Sequence, residues 1–573
     1  MKNKIVVGID FGTSGIGYAY GFSENIDKIF LSNLHLQKSE NKVPTEIVLD
    51  NNLIDILAFG NECKSFISTH EKDKYEYFKN IKMNLYHKIY LIKSTNGKEV
   101  DIELIIFKIL KKISDFAVEQ IKITSNIIVK KEDIKWVVTI PAIWEERSKQ
   151  IMINASIKAG LIDENSDKSL FLALEPEVAG IYYYTISQSC ESYKNDHITQ
   201  GKPYIICDIG AGTVDICTHR KIMVNNKTPE LIEEYPPIGG DFGGNKINEE
   251  FIKRFIVEIF GEKKVKELRT NPNDEDWDDF EKSIEDKKKY SYENELCNIF
   301  LDCEIFNDES DDKTLDYYIK EYDKKDHKYK IQKKKKWWKL EFSSQIFLDI
   351  AKELSLNIFS KIEEICKNVD TKDILMTGAG SKNILITHYL HDLCKNKNIE
   401  LEFSHPPYPE IAIIKGSVLF GFQKNIIRKR KARYTLGIQN ALPWKNDFKE
   451  KGKKVKLENN QYFCTNLFRK FITINQYIKY DDIKEHPFIA DDSKPNIIFY
   501  KTDKENCIYI DEKDENGQLI LKNFGKLEFN IGNDFDKQNP YVKVEMKMGG
   551  TYIDISAIYL KNGKKINVTQ TFI

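Results

Sequence analysis

The sequence predicts an α/β protein whose first 430 or so residues form two lobes of one duplicated pattern, followed by an all-β domain. Three observations carry that expectation. An apolar strand, an aspartate, a glycine-rich turn and a second strand occur twice, at 4–22 and at 204–220. The chain has 573 residues, too many for a single hydrophobic core. From about Arg433 onward the texture changes to short alternating runs separated by Gly, Asn and Asp.

Composition narrows the class. An apolar fraction of 41% with 31% charged residues describes a globular chain rather than a disordered one. Lys+Arg 87 against Asp+Glu 88 gives a formal charge of -1, so nucleic acid is not expected as a partner. The opening MKNKIVVGIDFGTSG puts Asp10 and several glycines where a secretory signal needs unbroken apolar residues. No apolar run reaches the ~18 residues that suggest a membrane span. Ten cysteines without a CxxC pair, with Cys207 and Cys217 inside apolar segments, read as buried reduced thiols of a cytoplasmic protein. RKRKAR (428–433) reads as a charged interdomain linker or as a nuclear-import signal.

In the first copy, KIVVGIDFGTSGIGYAYGF, Asp10 ends a buried strand and Gly12, Thr13, Ser14 and Gly15 make the turn. In the second, YIICDIGAGTVDICTHR, Asp208 is followed by Gly210, Ala211, Gly212 and Thr213. A carboxylate at the end of a buried strand needs a hydrogen-bond partner or a cation. A tight glycine turn exposes backbone N–H groups to a phosphate, and the threonine hydroxyls add donors. Two such hairpins face to face would clamp a triphosphate, their aspartates holding a hydrated Mg2+.

The hairpins resemble the two phosphate motifs of the superfamily that contains actin, hexokinase and the 70 kDa heat-shock chaperones. WVVTIPAIWEERSKQIMINASIKAGL (136–161) is similar to the chaperones' first connecting segment, and LFLALEPEVAGIYYY (170–184) to their strand–Glu–Pro–helix element. PIGGDFGGNKINEEFIKRF (237–255) is similar to their helix-opening GG-Asp-Phe segment. DILMTGAGSKNILITHYLHDL (373–393) resembles the adenosine motif, and PPYPEIAIIKGSVLFGF (406–422) the second connecting helix, with Gly416 at a close helix contact and Glu410 in place of the usual Asp. IKMNLY (81–86), the tryptophans at 337–338 and RKARYTLGI resemble a divergent branch, the 70 kDa heat-shock protein 12-like proteins.

That resemblance implies a duplicated actin-like (ribonuclease H-like) ATPase domain at 1–430: lobe I about 1–185, lobe II about 204–400, and a returning helix about 408–425. It implies ATP or ADP with Mg2+ as ligands, Asp10 and Asp208 holding the metal through water. Thr13 and Thr213 would touch the terminal phosphates, and Glu175 and Asp215 would orient the attacking water. Lys82 is the expected catalytic lysine, with Lys79 its rival. On the adenine side the candidates are Glu285, Lys288 and Lys289 at helical spacing, with Gly378, Ala379 and Gly380. His388, His391 and Cys394 share a helical spacing, and KKKKWW (333–338) sets basic residues beside aromatic ones; ordinary helix faces and a solvated loop account for both.

Residues 431–573 read as a β domain, with an Asn-Gly turn in YLKNGKKINV. In the chaperones such a domain binds extended peptides under a helical lid. No helix-period stretch follows here, so no lid is expected. The chaperone linker is apolar and this one is basic, so coupling through it is expected to be electrostatic, weak and salt-sensitive. The function expected is that of an ATP-hydrolysing, chaperone-like protein acting on polypeptide clients or signalling proteins. The alternatives are a nucleotide-gated scaffold with little turnover, an actin-like filament protein and a sugar kinase.

Overall fold

The computed structural model describes residues 4–32, 41–162, 170–189, 201–224, 228–270, 275–293, 296–307, 313–334, 338–406, 408–423, 425–448, 451–456, 461–490 and 492–572. Two sheets share one topology. In lobe I the strand order is Leu170–Leu174, Ile134–Ile140, Ile5–Phe11, Ile16–Phe22, Asn25–Leu31. In lobe II the corresponding five of the sheet's seven strands are Glu402–Ser404, Asp373–Thr377, Pro203–Ile209, Val214–Val224, Thr228–Gly240. Each is an antiparallel meander of three strands extended by two parallel ones. Parallel neighbours need crossovers, and helices such as Ile102–Ser125 and Gln345–Cys366 supply them.

The first strand of each hairpin is apolar on both faces because helices cover both, and Ile5–Phe11 is buried throughout. Two helices, Glu175–Ser189 and Pro409–Phe422, pack against each other at the centre of the molecule. They share an apolar core with Val6 and Val137 of lobe I and Leu231 of lobe II. The helices meet at Gly416, where a Cβ would lie 1.8 Å from the Val178 carbonyl oxygen. Pro141 follows the strand Ile134–Ile140 and Glu175 the strand Leu170–Leu174, each just ahead of or opening a helix.

Beyond lobe II lies a nine-stranded antiparallel β unit. Its strand Lys564–Phe572 pairs with Asp554–Tyr559 through its first residues and with Lys522–Asn530 through the rest. The sheet turns over at that strand, so its halves face each other, as the 5.2 Å approach of the Phe488 and Phe529 rings shows. One apolar cluster, including Leu436, Phe499, Val544 and Tyr559, fills the space between. Among the described residues of 431–573 the only helical turns are short 3-10 ones.

The basic segment is not a solvated linker. Ile427–Lys431 is a β-strand that pairs in parallel with Thr228–Gly240 of lobe II and antiparallel with Tyr477–Lys479 from the β unit. Arg430 points inward and is buried. Alternation along a strand puts every second side chain on the inner face, which RKRKAR as a string of charges does not reveal. Of KKKKWW, residues 335–337 lie outside the described residues; Trp338 packs on the lobe II core near Tyr318.

Candidate functional site

The two glycine turns meet across the gap between the lobes. A Cβ on Gly212 would stand 2.8 Å from Thr13 Oγ1 and 2.4 Å from Met83 Sδ, so only glycine lets the hairpins come this close. Each turn is fixed from behind. Gly12 O accepts from Thr45 Oγ1 at 2.8 Å, and Gly210 N donates to Thr213 O at 2.9 Å. The Asp-Phe-Gly-Gly segment lies on the second turn, Gly243 N, Gly244 N and Asn245 N donating to the carbonyls of Gly212, Gly210 and Ala211. Ser14 is exposed and Gly15 half-buried.

Below the turns, carboxylates converge from both lobes. Asp10 and Asp208 are each 2% exposed at the ends of their strands, and Asp215 is fully buried. Asp215 Oδ1 accepts from Ile143 N at 3.0 Å, while its Oδ2 and Asp208 Oδ1 have no hydrogen-bond partner within the protein. Burial pushes the Asp208 carboxyl well up, helped by Glu175, Asp215 and Asp10. Burial raises Asp215 as well, against hydrogen bonds from Thr213 and Ile143. Such orphaned, crowded carboxylates fit a hydrated dication.

Glu175 opens the helix after its strand and meets Lys82, which arrives on the short helix Ile81–Tyr86; Lys82 Nζ lies 2.5 Å from Glu175 Oε1, with both side chains buried. Burial first, then Asp10 and Asp215, push the Glu175 carboxyl up to about 7 against the pull of Lys82. Lys79 goes elsewhere, to Asp278 of lobe II at 2.7 Å, joined there by Lys64 at 3.6 Å.

The adenine-side candidates divide. Glu285 binds Lys288 and accepts from Asn248 at 2.8 Å, and Lys288 donates to Gly244 O at 3.1 Å. Lys289 is largely exposed. Gly378 has φ 80°, and a Cβ there would lie 2.3 Å from Asp208 Oδ1. The glycine therefore lets the turn at 378–380 lie directly on the aspartate. Ala379 is exposed and Gly380 packs on Ile209. Glu410 pairs with Lys382 at 2.8 Å.

Two features carry no local sequence signal. Lys42 places Nζ 2.5 Å from Asp10 Oδ2. Its ammonium is held above the usual range despite burial, by Asp10, Glu175 and Asp208. Behind Glu175, Glu177 and Glu233 receive Arg430 from the strand Ile427–Lys431: Arg430 Nη2 donates to Glu177 Oε2 at 2.9 Å and Nη1 to both acids. Despite burial, Arg430 and His219 pull the Glu177 carboxyl down to about 2.

Two copies of one sheet, facing each other through paired Asp–Gly hairpins, give a two-lobed α/β domain with a β-rich unit after it. The relatives found by sequence carry the name heat shock 70 kDa protein 12. The 12A protein of Mus musculus is 22% identical over 652 residues, covering 99% of this chain and 91% of its own length. The human 12A protein is 23% identical over 656 residues with the same coverage, and the human 12B protein is 21% identical over 83% of this chain and 76% of its own. No family model matches. Similar solved structures include MreB5 of Spiroplasma citri bound to ADP, at 12% identity and TM-score 0.41 over 73% of this chain and 96% of that one. A non-polymerisable ParM mutant matches at 15% identity and TM-score 0.38, over 74% of this chain and all of that one. Among the described residues no helix is long and apolar enough to cross a membrane.

Proposed function

We propose that the cleft binds ATP or ADP with Mg2+, hydrolyses ATP, and reports its state to the β unit. The observation that carries this reading is the apposition of Thr13 and Gly212 above the Asp10–Asp208–Glu175–Lys82 cluster. Glycine turns offer backbone N–H groups to the phosphates, Thr13 and Thr213 add hydroxyl donors, and Asp10 and Asp208 would hold the metal through water. When bound, the metal supplies positive charge to the phosphate oxygens.

The remaining work falls to side chains. Phosphoryl transfer needs positioning and charge compensation more than covalent chemistry. Lys82 offers a fixed cation beside the cleft. Glu175, its carboxyl pushed up by burial and by Asp10 and Asp215 against the pull of Lys82, is placed to take a proton from water, and the free Oδ2 of Asp215 can orient that water. Glu285, Lys288, Gly378, Ala379 and Gly380 would frame the nucleoside.

A chaperone-like role for the β unit, with polypeptide clients or signalling proteins as partners, rests on its order after the nucleotide domain and on the names of the relatives. The scaffold reading, nucleotide binding with little turnover, is favoured by one observation: Lys82 and Glu175 already neutralise each other as a buried pair.

The test is thermal unfolding and phosphate release with the full chain. At a hundredfold excess over Kd, Mg-ATP should stabilise the protein by about 2.7 kcal/mol. Phosphate release would then support hydrolysis, whereas a thermal shift without release would support the scaffold. No shift at millimolar nucleotide overturns the proposal.

A further inference from the structure

The structure puts a second lysine, besides Lys82, among the carboxylates of the proposed phosphate site. Lys42 is held in place by the chain on either side. Ile16 N donates to Val43 O at 2.7 Å, Val43 N donates to Ile16 O at 2.9 Å, and Thr45 reaches Gly12 O. Its aliphatic stem runs along the first hairpin, through space that glycine leaves free. A Cβ on Gly17 would lie 3.0 Å from Lys42 Cγ and 2.4 Å from Asn41 O, and one on Gly15 would lie 3.4 Å from Lys42 Cβ. The stem therefore delivers the ammonium to Asp10 Oδ2, inside the cleft, with about a third of the side chain exposed.

The cluster has four carboxylates, Asp10, Glu175, Asp208 and Asp215, and two of them face an ammonium, Lys42 at Asp10 and Lys82 at Glu175. A site of bare carboxylates repels a polyphosphate unless a dication intervenes. A lysine on a flexible four-carbon stem can leave a carboxylate and meet a phosphate oxygen without moving the backbone. We propose that Lys42 is a resident cation of the phosphate site, paired with Asp10 when the cleft is empty and turned toward the phosphates when a nucleotide enters. Nucleotide binding then depends only weakly on metal. This rests on the nucleotide-binding reading above and adds a residue and a metal dependence to it.

The experiment is calorimetric titration of the full chain with ADP, in Mg2+ and again in EDTA, for the wild type, Lys42→Met and Lys42→Arg. The wild type should lose less than tenfold in affinity on chelation, and Lys42→Met a hundredfold or more. Lys42→Arg, which keeps the charge, should stay near the wild-type ratio and guards against a folding defect in the methionine variant. An equal loss on chelation in Lys42→Met and the wild type overturns the role of Lys42 while leaving nucleotide binding intact. Absence of ADP binding by the wild type in both buffers overturns the nucleotide reading and this inference with it.

Discussion

Arg430 and Glu177 form a two-pronged ion pair in the interior, linking the strand that leads into the β unit to a helix whose first residue is Glu175. Glu233 accepts from Arg430 Nη1 and from Lys431 N at 2.9 Å, so the guanidinium is held from two lobes at once. Arg433 extends the contact by donating to Ala142 O, beside the Ile143 N–H that holds Asp215.

Removing the guanidinium leaves two buried carboxylates without their cation. Arg430→Met is expected to destabilise the protein by about 3–5 kcal/mol, and pairing it with Glu177→Gln should recover part of the loss. Urea unfolding of the two variants and the wild type checks this. Because the Arg430 side chain is only 10% exposed, salt should scarcely alter the docking of the β unit. Hydrogen exchange of residues 434–573 at low and high salt tests it. A large salt effect would mean that exposed pairs such as Arg428–Asp481 hold the unit instead.

The same pair predicts an acid limit. The Glu177 carboxyl titrates at about 2 when folded against an ordinary 4.5, so the unfolded chain takes up the proton first. Its contribution is complete above pH ~4.5 and is lost as pH falls toward about 2. Thermal melts from pH 6 to pH 3 should show a fall that is shallower in Glu177→Gln. Equal slopes would remove Glu177 from the account.

Lys82 and Lys79 should separate by function. Lys82→Ala is expected to lower ATP turnover at least tenfold, ~1.4 kcal/mol, with nucleotide binding still measurable. Lys79 bridges to Asp278 across the lobes, so Lys79→Ala should speed nucleotide release and leave the chemical step near wild type. Single-turnover and release kinetics distinguish the two. A slowed chemical step in Lys79→Ala with an unaffected Lys82→Ala would reverse the assignment.

Gly416→Ala puts a methyl into the Val178 carbonyl, 1.8 Å from its Cβ position. Helices Glu175–Ser189 and Pro409–Phe422 would have to separate, at a cost of roughly 1–3 kcal/mol or more. A melting temperature unchanged from wild type would contradict so tight a contact.

The hairpins, the Pro141 and Glu175 junctions and the Gly416 contact were legible because each is written in a few consecutive residues. Strand, turn residue and helix follow one another in sequence, and local sterics dictate the order. Lys42 was not legible, since nothing in KVPT reveals that the segment bridges back to Ile16. Arg430 is hidden in the sequence for the same reason. Its partner lies 253 positions away, and a run of basic residues looks solvated until strand alternation turns one of them inward. The contact Arg430 makes is buried, whereas an exposed basic linker would be screened by salt.

The strand Ile427–Lys431 also bears on how the protein can be divided. It covers part of the outer edge of Thr228–Gly240, and is itself covered by Tyr477–Lys479. A fragment cut after residue 422 would leave unpaired N–H and C=O groups along that edge, with Glu177 and Glu233 stripped of their counterion. Bare strand edges recruit other strands. The two lobes expressed without this strand should therefore associate edge to edge, while the full chain, which keeps that edge covered, should remain dispersed.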